Sequence, residues 1–115
     1  MAEDPGKNAA YWLVLTTCPD ADSAGRLAQL LVSRNLAACV NIQPGVRSVY
    51  RWQGKVESSA EHLLFIKTAA MRYEALQDVI KANHPYELPE LVAVPIVAGS
   101  SEYLSWMHQT VCEPR

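Results

Sequence analysis

The chain opens its pattern with Tyr11-Trp12-Leu13-Val14-Leu15-Thr16-Thr17, an unbroken run of β-favouring residues. Such a run predicts a buried central strand. Cys18-Pro19-Asp20 ends it, and Asp20 or Asp22 is placed to cap a helix, where a carboxylate suits the positive N-terminal end. Ala24, Leu27, Ala28 and Leu31 recur at the spacing of one helical face, so a helix is expected to end near Arg34-Asn35. A second strand begins at Ala37, is interrupted by Gln43-Pro44-Gly45 as a bend or bulge, and resumes through Val46 to Trp52. In this part Val46, Ser48, Tyr50 and Trp52 share one side, and Arg47, Val49 and Arg51 the other. Gln53-Gly54 reads as a two-residue hairpin tip, and the return strand runs from Lys55 to about Thr68.

A second helix buries Leu76, Val79 and Ile80, with Tyr73 one turn earlier. It stops before Pro85, because the residue ahead of a proline avoids the helical region. The loop His84-Pro85-Tyr86-Glu87-Leu88-Pro89-Glu90 follows, stiffened by two prolines. The run Leu91 to Val97 predicts a last strand. Pro95 within it has no N–H for a ladder, which assigns the strand to an edge or a bulge. Gly99-Ser100-Ser101-Glu102 opens a terminal helix with Tyr103, Trp106 and Met107 available for packing. The order β-α-β-β-α-β plus a terminal helix is an α+β, ferredoxin-like pattern in a single domain over residues 11–112.

The long central hairpin implies self-association. Its arms exceed the usual strand length of about 5–6 residues. Two helices cover one face of a small sheet but not a protruding ribbon. Val46, Tyr50 and Trp52 would then expose aromatic and apolar surface along an open edge. Pattern alone does not separate a dimer from a trimer.

The composition fits that picture. Of 115 residues, 50% are hydrophobic and 19% charged, a globular balance in which one core suffices without metals or disulfides. The formal charge of −2, with ten Lys and Arg scattered along the chain, argues against nucleic acid as the main partner. Three cysteines, Cys18, Cys39 and Cys112, lack CxxC spacing and cannot all pair within one chain, which suits free thiols in a reducing compartment. Cys39 is expected in the core and Cys112 exposed near the tail. Residues 1–10 are expected to be a disordered leader. The apolar run after it is too short for a membrane span or a signal core, so cytoplasmic location is the default expectation.

Two groups of side chains carry candidate chemistry. His84 sits in the stiffened loop, and neutral imidazole is a good Cu(II) ligand. It either ligates a metal or braces the loop through hydrogen bonds. Cys18 lies just before a helix start, where the dipole can lower a thiol pKa and favour metal binding; it is otherwise a small buried side chain. His62 and His108 read as lone histidines without a ligand partner at helical spacing.

Five strings bear a resemblance to one family: Leu36-Ala37-Ala38-Cys39-Val40-Asn41, Tyr50-Arg51-Trp52-Gln53-Gly54-Lys55, Ile66-Lys67-Thr68, His84-Pro85-Tyr86-Glu87-Leu88-Pro89-Glu90 and Tyr103-Leu104-Ser105-Trp106. Together they resemble the CutA divalent-cation tolerance proteins from about Trp12 to Val111. The resemblance implies a ferredoxin-like fold, a tight homotrimer with strand pairing between subunits, and copper or other divalent-cation tolerance without an established enzymatic reaction. In copper-binding relatives the ligands include a Cys in the first strand and two consecutive His before Pro-Tyr. Here Thr16 and Asn83 stand at two of those positions, His84 at the third, and Cys18 is the thiol two residues on. The resemblance also places Glu61, Lys67, Trp52 and Tyr86 around clefts between subunits. There they either hold a small anionic or polar ligand or form a sealing ion pair.

The remaining classes stay open to different degrees. A trimeric small-ligand sensor or an anchoring scaffold fits the same architecture, on fold-level comparison alone. An enzyme does not fit well. Acylphosphatases share the element order but need a phosphate-cradling loop after the first strand, and Thr16-Thr17-Cys18-Pro19-Asp20 offers neither Arg nor Gly. No Ser-His-Asp set or paired acids stand at a recognisable spacing.

Overall fold

The computed structural model describes residues 9–113. Most of the expected leader therefore lies outside the described residues. The elements are β1 (Tyr11–Cys18), α1 (Ala21–Ser33), β2 (Cys39–Trp52), β3 (Lys55–Ala69), a 3-10 turn (Ala70–Arg72), α2 (Tyr73–Asn83), β4 (Val92–Pro95) and α3 (Ser101–Cys112). The four strands form one antiparallel sheet in the order β2-β3-β1-β4. This is the α+β order read from the pattern, with β1 central and the proline-bearing β4 at an edge.

Local chemistry explains the boundaries. Asp20 caps α1, its Oδ1 accepting the Ser23 N–H at 2.8 Å. At the other end Asn35 takes a left-handed conformation (φ 57°), and the Leu36 N–H reaches back to Leu31 O at 2.9 Å. Gln53 (φ 49°) and Gly54 (φ 81°) both have positive φ, the requirement of a tight two-residue hairpin turn. Between Gln43 and Val46 the register shifts, because Pro44-Gly45 on β2 oppose a single residue on β3. Pro44 lacks an N–H and Gly45 has φ 74°, so the interruption is a β-bulge that bends the ribbon. The last strand is shorter than the run Leu91–Val97, since Pro95 cannot extend the ladder; Ile96 N–H still bonds Tyr11 O at 2.9 Å.

One face of the sheet is closed. Val14, Cys18, Leu64 and Ile66 are buried against Leu27 and Leu31 of α1 and Leu76 and Ile80 of α2. Thr68 sits in this closed layer, its Oγ1 donating to Leu36 O at 2.7 Å. Thr68→Val is therefore expected to cost about 1–3 kcal/mol, since it keeps the shape but orphans a carbonyl. Urea denaturation should show a lower midpoint at an unchanged m-value.

The opposite face is only partly covered. Met107 and Val111 of α3 pack with Ala38 and Ala69 over one end, joined by Tyr11, Ile96 and Leu104. Tyr103 and Trp106, read as packing residues, stay largely exposed and stack on one another, with ring centroids 5.4 Å apart. Beyond α3, the ladder aligns Val92, Leu15 and Phe65 in one row and Val94 and Leu13 in the next. The same face continues up the hairpin through Glu61, Tyr50 and Trp52. The Cα radius of gyration is 15.2 Å, against about 13 Å for a compact domain of this length, and the protruding ribbon accounts for the excess.

Candidate functional site

The loop after α2 crosses the end of β1 and brings His84 and Tyr86 to it. His84 Nε2 lies 2.7 Å from Thr17 O, and the Tyr86 N–H donates to His84 Nδ1 at 3.0 Å. The tautomer follows from the second bond: Nδ1 must supply its lone pair, so the proton is on Nε2 and is donated to the Thr17 carbonyl. Cys18 Sγ stands 3.8 Å from the same Nε2. Cys18 is fully buried, and its thiol pKa is pushed up, first by that burial and further by the nearby Asp20 and Glu61 carboxylates, against a hydrogen bond with Ser23 that lowers it. The expectation of a dipole-lowered thiol is thus corrected: desolvation outweighs the helix end. His84 in this tautomer has no lone pair free to take the thiol proton, so the two do not form a nucleophile–base pair.

Toward a metal the arrangement is a partial fit. A cation at about 2.1 Å from nitrogen and about 2.3 Å from sulfur would bridge the 3.8 Å gap at an angle of roughly 120°, suitable for a shared ion. To do so His84 must surrender its proton and its bond to Thr17, and Cys18 must ionise while buried. Nothing replaces the other two ligands that the resemblance implies. Thr16 is buried with an unpartnered Oγ1, and Asn83 turns away to donate to Val79 O at 2.8 Å. Among the described residues no group of three or more His, Cys, Asp and Glu gathers to hold a metal. A cleft of about 480 Å³ between α1 and the end of α2 gives access to this corner, with Ser23, Arg26, Leu30, His84 and Pro85 among its walls.

The second constellation is only partly assembled. Tyr86 Oη donates to Glu61 Oε2 at 2.7 Å, and Glu61 is buried, with only 6% of its surface exposed. Lys67 and Trp52 are elsewhere. Lys67 is six residues along β3 from Glu61, and Trp52 pairs with Lys55, six residues the other way. At about 3.4 Å per residue the two lie roughly 20 Å to either side. Lys67 Nζ instead sits over the Tyr103 ring, 5.7 Å from its centroid. The sealing Glu61–Lys67 ion pair is therefore absent within the chain. Among the described residues the ion pairs are Arg26–Asp22 and His108–Glu113.

Burial of Glu61 makes Tyr86 matter. The Tyr86 hydroxyl pKa is pushed well above the usual range, first by desolvation and then by its bond to Glu61. Tyr86→Phe is expected to cost about 1.5–3 kcal/mol at neutral pH, the loss of a hydrogen bond to a charged group. The raised Tyr86 and Cys18 pKa values also set a sign. Above the ordinary thiol and tyrosine ranges the unfolded chain gives up protons that the folded chain keeps, so stability falls as pH rises. Thermal melts should show that alkaline decline weakened in Tyr86→Phe.

The other two cysteines depart from expectation. Cys39 is half-buried at the start of an edge strand, with its thiol 3.7 Å from Asn41 Oδ1, and is not a core residue. Cys112 is half-buried in the last turn of α3, with its thiol against Met71. His62 is also half-buried and is paired with Cys18 in the ladder. Contrary to the expectation of a lone histidine, His108 has a potential ligand at helical spacing: Cys112 is four residues on, a spacing present in the sequence itself.

The family model of the CutA1 divalent ion tolerance protein matches residues 12–110. The divalent-cation tolerance protein CutA of Thermus thermophilus is 47% identical over 84% of this chain and 94% of its own. A solved structure from that organism aligns with a TM-score of 0.86 over 88% of this chain and 98% of that one. The chloroplastic protein CutA of Arabidopsis thaliana is 45% identical over 91% of this chain, which spans 58% of that protein's length. A periplasmic divalent cation tolerance protein CutA from Archaeoglobus fulgidus aligns at 37% identity with a TM-score of 0.86, over 88% of this chain and 98% of that one. Chloroplastic and periplasmic relatives overturn the cytoplasmic expectation. That expectation rested on the lack of a membrane span or signal core in the sequence, whereas relatives of this fold are described in more than one compartment. No helix among the described residues is long and apolar enough to cross a membrane. By both sequence and structure, the chain belongs to the CutA1 family of divalent ion tolerance proteins.

Proposed function

We propose that this protein is a homotrimeric, non-enzymatic binding protein for divalent cations, copper first among them, and that His84 with Cys18 supplies its ligands. The observation that carries the reading is the approach of the His84 ring nitrogen and the buried Cys18 sulfur to 3.8 Å, with His84 itself lining a cleft. Two donors replacing hydrogen bonds already made give weak binding, which suits a protein that exchanges its ion rather than storing it. Trimer formation is supported by the open apolar sheet face. Glu61, Lys67 and Trp52 lie too far apart within one chain to share a cleft, so a shared cleft would require more than one copy. Calorimetric titration of Cu(II) into tag-free protein tests the cation site. Saturable binding that disappears in His84→Ala supports it, and binding that survives in that variant contradicts it.

A second reading rests on Glu61. This buried carboxylate has a hydroxyl partner but no cationic partner among the described residues of its own chain. A cleft between copies, completed by Lys67 and Trp52 of neighbours, would hold a small polar ligand as a sensor or signalling scaffold does. Thermal shifts with anionic metabolites and none with copper would favour it over the first.

A further inference from the structure

The 3-10 turn before α2 and the last turn of α3 bring two sulfurs together on the surface, away from the His84 corner. The Cys112 thiol points at Met71 Sδ, with 3.4 Å between the sulfurs, although the residues are 41 apart in sequence. Met71 is 75% exposed, an unusual place for a thioether that serves no core. Its carbon chain is free to move, whereas Cys112 is fixed by the helix. One turn back on the same flank of α3 stands His108, at the i, i+4 spacing that lets two helical side chains share an ion. His108 is also on the surface, its ring only loosely engaged with Glu113 at 3.8 Å.

We propose that Met71, Cys112 and His108 form a second metal site that takes a soft monovalent ion, Cu(I) in the first place, and that this site is independent of the His84–Cys18 corner. The donor set decides the ion. Thiolate and thioether together select Cu(I) over hard or borderline divalent cations, and imidazole is a compatible third ligand. The geometry needs little change. With metal–sulfur bonds of about 2.3 Å the present 3.4 Å separation corresponds to a bent angle of roughly 95°. Moving the exposed Met71 tip outward by about 0.6 Å opens that angle to trigonal, about 120°. The third position would be filled by His108, which must turn from Glu113 to reach it across one helical turn. Binding releases the Cys112 thiol proton to solvent and involves no change in oxidation state, the ion entering and remaining as Cu(I).

The test is an anaerobic titration of the reduced full chain against Cu(I) buffered by bathocuproine disulfonate, with wild type, M71L, H108A, C112S and a C18S/H84A double variant. Wild type and the double variant are expected to withdraw the same tight equivalent per chain. C112S should lose that equivalent, and M71L and H108A should each weaken it tenfold or more. Circular dichroism checks that each variant is folded; Met71 and His108 lie at the surface, so their replacement spares the core. An equivalent retained by C112S, undiminished affinity in M71L or H108A, or loss of the equivalent in the double variant overturns the assignment.

Discussion

Phe65→Glu is expected to convert the proposed trimer into single folded chains. Phe65 stands in the middle of the open sheet face, between Leu15 on β1 and Asn41 on β2. It is half-buried and takes no part in the core formed by α1 and α2. A carboxylate there leaves the helix-covered layer untouched. In an assembly built on this face, each copy would have to bury an unpaired charge against leucine and valine, at a cost of several kcal/mol per ion. Symmetry would bring the like charges together and raise that cost. Light scattering should show the mass fall from three chains to one while the far-ultraviolet circular dichroism keeps its shape. The melting temperature should fall as well, because association stabilises the folded state by mass action. A mass that stays at three chains in this variant would show that copies associate through some other surface, and a wild type already at one chain would contradict the trimer itself.

His84→Ala is expected to remove cation binding and to loosen the loop at once. The side chain receives the Tyr86 N–H and donates to Thr17 O, so its loss orphans one backbone donor and one acceptor. Two such bonds amount to about 2–3 kcal/mol, and more where the orphaned groups stay out of water. The urea midpoint should fall at constant m-value, and protease nicking between residues 84 and 90 should accelerate. The Tyr86–Glu61 bond depends on the same loop, so Tyr86→Phe added to His84→Ala should cost less than the sum of the two singles. A full stability loss with cation binding intact would make His84 a brace alone.

Much of the fold was legible because its signals are local. The capping carboxylate at Asp20, the positive-φ pair Gln53-Gly54, the bulge at Pro44-Gly45 and the edge strand marked by Pro95 each follow from a few neighbouring residues. Cys39 misled because Ala-Ala-Cys-Val is apolar without stating which edge of the sheet it occupies. The candidate sites were less legible because they depend on contacts between distant segments. His84 meets Thr17 across 67 positions and Tyr86 meets Glu61 across 25, and no periodicity encodes either contact. The sequence names Glu61, Lys67, Trp52 and Tyr86 alike, yet only one pair of them meets in the chain. The tautomer of His84 and the raised pKa of Cys18 are likewise products of burial and hydrogen bonding, which the residue types alone do not decide.

The proposed protein is self-assembled and carries a divalent cation in each copy. Native mass spectrometry of tag-free protein, with and without Cu(II), counts chains and ions in one experiment. The expected result is a species of three 12.7 kDa chains that gains up to three copper ions and gains none in His84→Ala. A single-chain species, or a trimer whose copper uptake is the same in wild type and His84→Ala, contradicts it.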